Sequence, residues 1–246
     1  MKNIITIATL LVAGTAFANA DVTTWDDSLP KNVSGKAVAS WNVSSSGLTW
    51  TSGVAESVIF TIDYSSIDLS KSYALFSIKD STYNGLTSVG IKGGNVFLEN
   101  WNDNTPTATS ALSTFASAKN LTFVVSRSSS NDMSLAVYKD GSFDMAAASL
   151  TGKTNQSFRG KTWSSLNFGG TTDSSYFQNV NNVMPSNENA AEFKLLGAGY
   201  TVNAVATTAE LENYYSAVVP EPSAFGLLAG LGALALVGAR RRRSRK

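Results

Sequence analysis

The stretch ENWNDNT, Glu99 to Thr105, sets one indole, Trp101, between Asn100 and the run Asn102, Asp103 and Asn104. An aromatic ring stacks on the apolar face of a sugar while amides and carboxylates hydrogen-bond its hydroxyls, so this is the best local pattern for glycan binding. The competing reading is a loop whose Trp101 folds down onto the rim of a β-sandwich. Trp25, Trp41, Trp50 and Trp163 read as core or rim. The carboxylates are less suggestive. Glu188 and Glu192 stand at i,i+4 and Glu210 and Glu212 are close, the pattern of a solvated face. Asp140 and Asp144 in YKDGSFD flank a Gly turn, fall short of a calcium loop, and read as a hairpin. The chain has no Cys and no His. That removes disulfides, thiolate metal sites, Ser-His-Asp and Cys-His catalysis and the usual His-containing zinc sites. No metal and no cofactor is expected, and the chain reads as a non-enzyme.

The elements that must position these residues are strands. Between the two ends of the chain Ser, Thr, Asn and Gly are abundant, charges are sparse, and apolar residues alternate with polar ones. Strands are expected over 57–65, 72–80, 88–100, 121–127, 133–140 and 164–170, each closed by turn residues. Met133, Leu135 and Val137 point to one face of the fifth and Ser134, Ala136 and Tyr138 to the other. This spacing predicts an all-β, antiparallel β-sandwich large enough to bury a core without disulfides. One helix is expected late. Thr207-Thr208-Ala209-Glu210 fits a capping box, with Leu211, Tyr214 and Tyr215 on a shared face sealing one end of the sandwich.

Both ends of the chain read as addresses. MKNIITIATLLVAGTAFANA, residues 1–20, has the basic, apolar and small-x-small parts of a signal peptide, with Ala18 and Ala20 marking cleavage before Asp21 by signal peptidase. The body, 21–217, comes next. From 218 to 246 come Pro220-Glu221-Pro222, sixteen uncharged residues from Ala224 to Ala239, and the cluster Arg240, Arg241, Arg242, Arg243, Arg245 and Lys246. As a helix the apolar run is about 24 Å long, somewhat short of a ~30 Å hydrocarbon core, and the basic residues keep their end in the cytoplasm. The prolines make 220–222 extended, open to grip by an enzyme's cleft. Setting aside Lys2 and the six terminal basic residues leaves 12 basic against 18 acidic residues, a net of −6. An acidic body without a basic stripe argues against nucleic acid as partner.

In that order, triplet, apolar run and arginine cluster resemble a PEP-CTERM sorting signal. The resemblance implies export by a Gram-negative bacterium, a transient inner-membrane intermediate, and cutting near Pro220-Glu221-Pro222 by an exosortase, with release or transfer toward the outer surface or extracellular matrix. These residues are then a substrate and not a catalyst. The body resembles a second known fold. The strand LTFVVSR, the turn SSSND, LAVYKDGS, LNFGG and the helix TTAELENYY resemble the second half of laminin G-like, or concanavalin A-like, jelly-roll domains over about residues 48–216. A generic β-sandwich and a β-helix remain as alternatives. Laminarinase-type enzymes on that fold carry Glu-x-Asp-x-(x)-Glu, two carboxylates flanking the scissile bond, and no Glu-x-Asp occurs here. The expectation is a non-enzymatic surface or matrix protein that adheres to polysaccharide or to neighbouring proteins. The alternatives are a polysaccharide hydrolase with an unrecognised carboxylate pair and a purely structural surface protein.

Overall fold

The alternation along the body is realised in a computed structural model that describes residues 22–25, 37–42, 48–50, 53–80, 87–100, 108–130, 132–151, 163–169 and 191–219. In chain order the strands are β1 (Thr23–Thr24), β2 (Ala37–Asn42), β3 (Glu56–Asp63), β4 (Tyr73–Asp80), β5 (Thr87–Lys92), β6 (Asn95–Asn100), β7 (Ala108–Ala111), β8 (Asn120–Arg127), β9 (Met133–Lys139), β10 (Ala148–Thr151), β11 (Trp163–Gly169) and β12 (Leu195–Val202). One α-helix, α1 (Thr208–Val218), succeeds them. The strands form two six-stranded sheets, ordered β1-β12-β3-β8-β9-β10 (the first sheet) and β2-β11-β4-β5-β6-β7 (the second). Every pairing is antiparallel.

The inward faces share one apolar core. Val58, Phe60, Ile62, Phe123, Val125, Leu135 and Val137 of the first sheet join Phe76, Ile78, Val89, Ile91, Leu166 and Phe168 of the second. Phe60 is at its centre. It stacks on Phe123 of its own sheet at 4.8 Å, and across the gap it meets Phe76 at 5.8 Å and Phe168 at 5.3 Å. Offset and edge-on geometries of this kind add about 0.5–1.5 kcal/mol per pair to the burial itself.

Two expectations are corrected. Residues 88–100 are not one strand but the hairpin β5–β6. Gly93 and Gly94 occupy φ of 57° and 73°, and two successive positive-φ residues make the tight turn whose twist matches flanking antiparallel strands. Nor does the helix seal an end of the sandwich. Leu211 and Tyr214 pack with Ile59, Val124 and Phe143, and Tyr215 and Val218 flank them, so α1 lies across the outer face of the first sheet. The capping box is as expected. Thr207 Oγ1 accepts from Glu210 N–H at 3.4 Å, and Glu210 Oε2 accepts from Thr207 N–H at 2.6 Å.

Under the helix the sheet is partly polar, and the polar groups are paired. Ser57 bonds Ser126 and Thr61 bonds Thr122 across strands, each at 2.9 Å, and the Tyr214 hydroxyl donates to Gly197 C=O at 2.8 Å. Burial pushes the Tyr214 hydroxyl far above the ordinary phenol range. Two glycines allow the close approach. A Cβ on Gly197 would lie 2.5 Å from Val218 Cγ1, and one on Gly141 would lie 2.5 Å from Tyr215 Cε1.

Gly141 and Gly53 separate backbone strain from helix docking, because both have positive φ but nothing lies near Gly53. Gly53→Ala is expected to cost about 1 kcal/mol from strain alone. Gly141→Ala should cost about 1–2 kcal/mol more, because the Tyr215 ring must shift. Urea unfolding of the two variants measures the difference, and equal losses would mean that α1 does not pack here.

Candidate functional site

The sheet registers sort the chain's connections into two ends. Glu56 pairs with Arg127 at one end of the first sheet and Asp63 with Asn120 at the other. In the second sheet Ile78 pairs with Thr87 at one end and Tyr73 with Ile91 at the other. A short 3-10 turn, Tyr64–Ser66, begins the passage from β3 to β4. The Tyr64 hydroxyl donates to Leu112 C=O just beyond β7, at 3.2 Å, which fastens these ends of the two sheets together. The connections 64–72, 93–94, 112–119 and 140–147 therefore share one end, here the turn end. Those after β2, β4, β6, β8, β10 and β12 share the opposite one, the loop end.

The loop end is where the sequence reading falls. Trp101, Asn102, Asp103 and Asn104 lie outside the described residues, but their anchors do not. β6 delivers the chain at Asn100, opposite Thr87, and β7 takes it back at Ala108, opposite Leu98. Trp163 opens β11 opposite Asp80 at the same end, and Trp41 pairs with Leu166 one strand over. Four connections, 43–47, 81–86, 101–107 and 152–162, thus issue from neighbouring strands, and the last of them carries Lys153, Arg159 and Lys161.

Behind them sits a polar cluster that no local motif announces. Glu56 and Arg127 are buried and opposite each other in register. Thr49 donates to Glu56 Oε1 from both N–H and Oγ1, at 2.9 and 2.8 Å, and Arg127 Nη1 donates to Trp50 C=O. Burial lowers the Arg127 pKa, while the Glu56 carboxylate opposes that shift. Trp50 is held fully buried with φ at 46°, a left-handed conformation uncommon for a large side chain. Glu56, through Thr49, and Arg127, through Trp50, therefore pin the segment 48–50 beneath the loop end. The only sequence signal for this cluster is a charged residue at the border of each of two apolar runs, too weak to pair them.

Other sequence-flagged carboxylates serve the fold. Asp140, at φ 51°, accepts from Lys119 N–H and Asn120 N–H at 2.8 and 3.0 Å, so it fastens a hairpin turn as read. Glu210 belongs to the helix cap and is buried, which corrects its reading as part of a solvated face. Among the described residues no group of His, Cys, Asp and Glu is arranged to hold a metal. Trp25 stacks on Tyr200 at 5.3 Å and meets Phe168 edge-on at 6.0 Å, a rim position.

At its C-terminal end α1 is docked to its final residue. Val218 packs against Gly197, and Val219 N–H donates to Tyr215 C=O at 2.8 Å, one residue before Pro220. Ala18, Ala20, the triplet Pro220-Glu221-Pro222, the apolar run 224–239 and the basic cluster 240–246 lie outside the described residues. Among the described residues no helix is long and apolar enough to cross a membrane.

Residues 218–243 match the PEP-CTERM protein-sorting motif. No curated protein matches the chain. Among solved structures, the binding domain of botulinum neurotoxin serotype D/C is similar at 9% identity and a TM-score of 0.44, over 72% of this chain and 38% of that one. A Trypanosoma rangeli sialidase with 2,3-difluorosialic acid is similar at 15% identity and a TM-score of 0.43, over 68% of this chain and 23% of that one. A receptor binding domain is similar at 10% identity and a TM-score of 0.43, over 67% of this chain and 35% of that one. The chain spans at most 38% of each of these.

Removing one of these two buried groups at a time should be costly. Arg127→Met is expected to lose about 3–5 kcal/mol, because Trp50 C=O loses its donor and Glu56 loses the opposite charge in register with it, and adding Glu56→Leu should restore most of that loss. Urea unfolding of the single and double variants measures the coupling; additive losses would show that the two groups do not act as a pair.

Proposed function

We propose that this chain is an exported, exosortase-processed surface or extracellular-matrix protein whose β-sandwich binds glycan without turning it over. The match of residues 218–243 to the PEP-CTERM sorting motif carries the first half of this reading. In it, residues 1–20 are the signal removed by signal peptidase, 224–239 hold the precursor in the inner membrane, and the basic residues from Arg240 onward retain that end in the cytoplasm. The exosortase grips Pro220-Glu221-Pro222, which comes after α1 with a single residue, Val219, between.

The glycan-binding half rests on the loop end. Five antiparallel strands of the second sheet, together with the short β7, carry connections with hydroxyl and amide side chains suited to hydroxyl recognition, and Trp101 lies in one of them. In this reading the two sheets are a jelly roll of the laminin G-like, concanavalin A-like kind, and the loops at one end are its binding face. Polysaccharide at the cell envelope is the ligand class. The absence of a Glu-x-Asp pattern and the structural duties of Glu210 and Asp140 support binding without hydrolysis.

Glu221→Gln, or Pro220→Ala with Pro222→Ala, is expected to block processing, so that full-length protein accumulates in the membrane fraction of the exporting cell on immunoblots. Normal processing of these variants would remove the sorting reading. Trp101→Ala should abolish binding on a glycan array while thermal unfolding of the body changes little; reducing-sugar release from polysaccharide by the body would instead favour the hydrolase.

A further inference from the structure

In the proposed function the precursor is held in the membrane by residues 224–239, and the orientation of its body rests on that reading. α1 runs from the loop end to the turn end. Just before it, Ala206 N–H donates to Ser57 Oγ at 3.4 Å, one register step from the Glu56–Arg127 pair. In its last turn the Tyr215 hydroxyl accepts from Asn120 Nδ2 at 3.2 Å, at the opposite end of β8, and its ring lies against Gly141. The chain therefore leaves the body at the turn end. Between Val219 and Ala224 lie only four residues, so the reach across those five steps is at most ~18 Å even when fully extended. The headgroup layer alone takes up ~5–8 Å of that. The turn end is thereby held close to the lipid surface.

The charges at this end are independent of the tail. Lys71, Lys92, Lys119, Lys139 and Lys194 are all exposed there. Acidic residues share this end: Asp63, Asp68, Asp140, Asp144 and Glu192. Three of them are turned onto the backbone. Asp63 Oδ1 accepts from Ser65 N–H at 3.1 Å, Asp68 Oδ1 from Ser70 N–H at 3.0 Å, and Asp140 Oδ1 from Lys119 and Asn120 N–H. Asp63 and Asp68 also stand 3.6 and 3.8 Å from Lys194 and Lys71, pairs exposed enough for the ammonium groups to exchange partners. Lysines and carboxylates are thus interspersed at this end, five of each among the described side chains, so the short link to Ala224 and not net charge holds it at the lipid surface.

We propose that the turn end is a lipid-facing surface, held against phospholipid headgroups by the short link that follows α1, and that the loop end carrying residues 101–107 is consequently held away from the membrane. Strands of eight residues separate the two ends by about 26 Å. The binding loops then face the envelope glycans while the sorting triplet stays at the bilayer, within reach of a membrane-embedded protease.

The absence of native cysteine makes the orientation directly measurable. Full-length chain carrying Ser117→Cys at the turn end or Ser129→Cys at the loop end is labelled with a fluorophore and reconstituted into phosphatidylcholine vesicles containing one quarter phosphatidylglycerol, with headgroup nitroxide lipid as quencher. Quenching is expected to be several-fold stronger from position 117 than from position 129. Equal or reversed quenching in carbonate-resistant protein overturns the proposed orientation. Protein that is wholly extracted by carbonate overturns the membrane-held reading itself and is told apart by that step.

Discussion

The contact of Phe60 with Phe123, Phe76 and Phe168 is what makes two sheets one body. With no cysteine to cross-link them, the layers are held together by side chains that reach across the gap. Phe60 does this from the centre of β3, with β12 on one side of it and β8 on the other. Its ring fixes the spacing between layers, and that spacing sets where the connections of both sheets emerge. Tyr64, the residue just past the end of β3, completes the arrangement at the turn end, and Glu56 holds the segment 48–50 at the loop end through Thr49. One strand and its first following residue thus supply the central aromatic contact and a fastening at each end.

Much of this is legible in the sequence because it is local. The runs around Val58, Leu75, Val89, Phe123, Leu135 and Leu166 each announce a strand, and Thr207 with Glu210 announces the helix start. β2, β7, β10 and β12 give no such signal. Their sequences AVASWN, ATSA, ASLT and LLGAGYTV give little contrast between faces, since Ala, Gly and Ser are neutral to burial. Those strands are assigned by neighbours already in place, and no local pattern encodes that.

The helix position shows how a signal can be present and still misread. Val58 to Ile62 and Phe123 to Val125 are nearly unbroken apolar runs, which mark strands covered on both sides. The second cover is α1, over Ile59 and Val124. Its seat also needs Gly141 and Gly197, whose missing side chains read only as turn and weak strand until the helix is laid across them. The buried charged residues are invisible for a different reason: Glu56 and Arg127 come opposite each other only through the register of β3 and β8. The candidate glycan residues are the opposite case, conspicuous in sequence and placed by structure only through the strands that carry their connection.

The pairing of β1 with β12 bears on how such a chain comes to fold. Thr23 meets Tyr200 and Thr24 meets Gly199, so the first described strand joins the last. A chain threaded outward amino-terminus first has nothing for that opening segment to join until almost all of it has crossed. Ribosomes add roughly 5–20 residues per second, so on a ribosome-paced passage the wait is on the order of ten seconds or more. Until then the edge of β12's future neighbour is unsatisfied, and folding closes only when the last strand arrives, which makes secretion and completion of the first sheet a single coupled event.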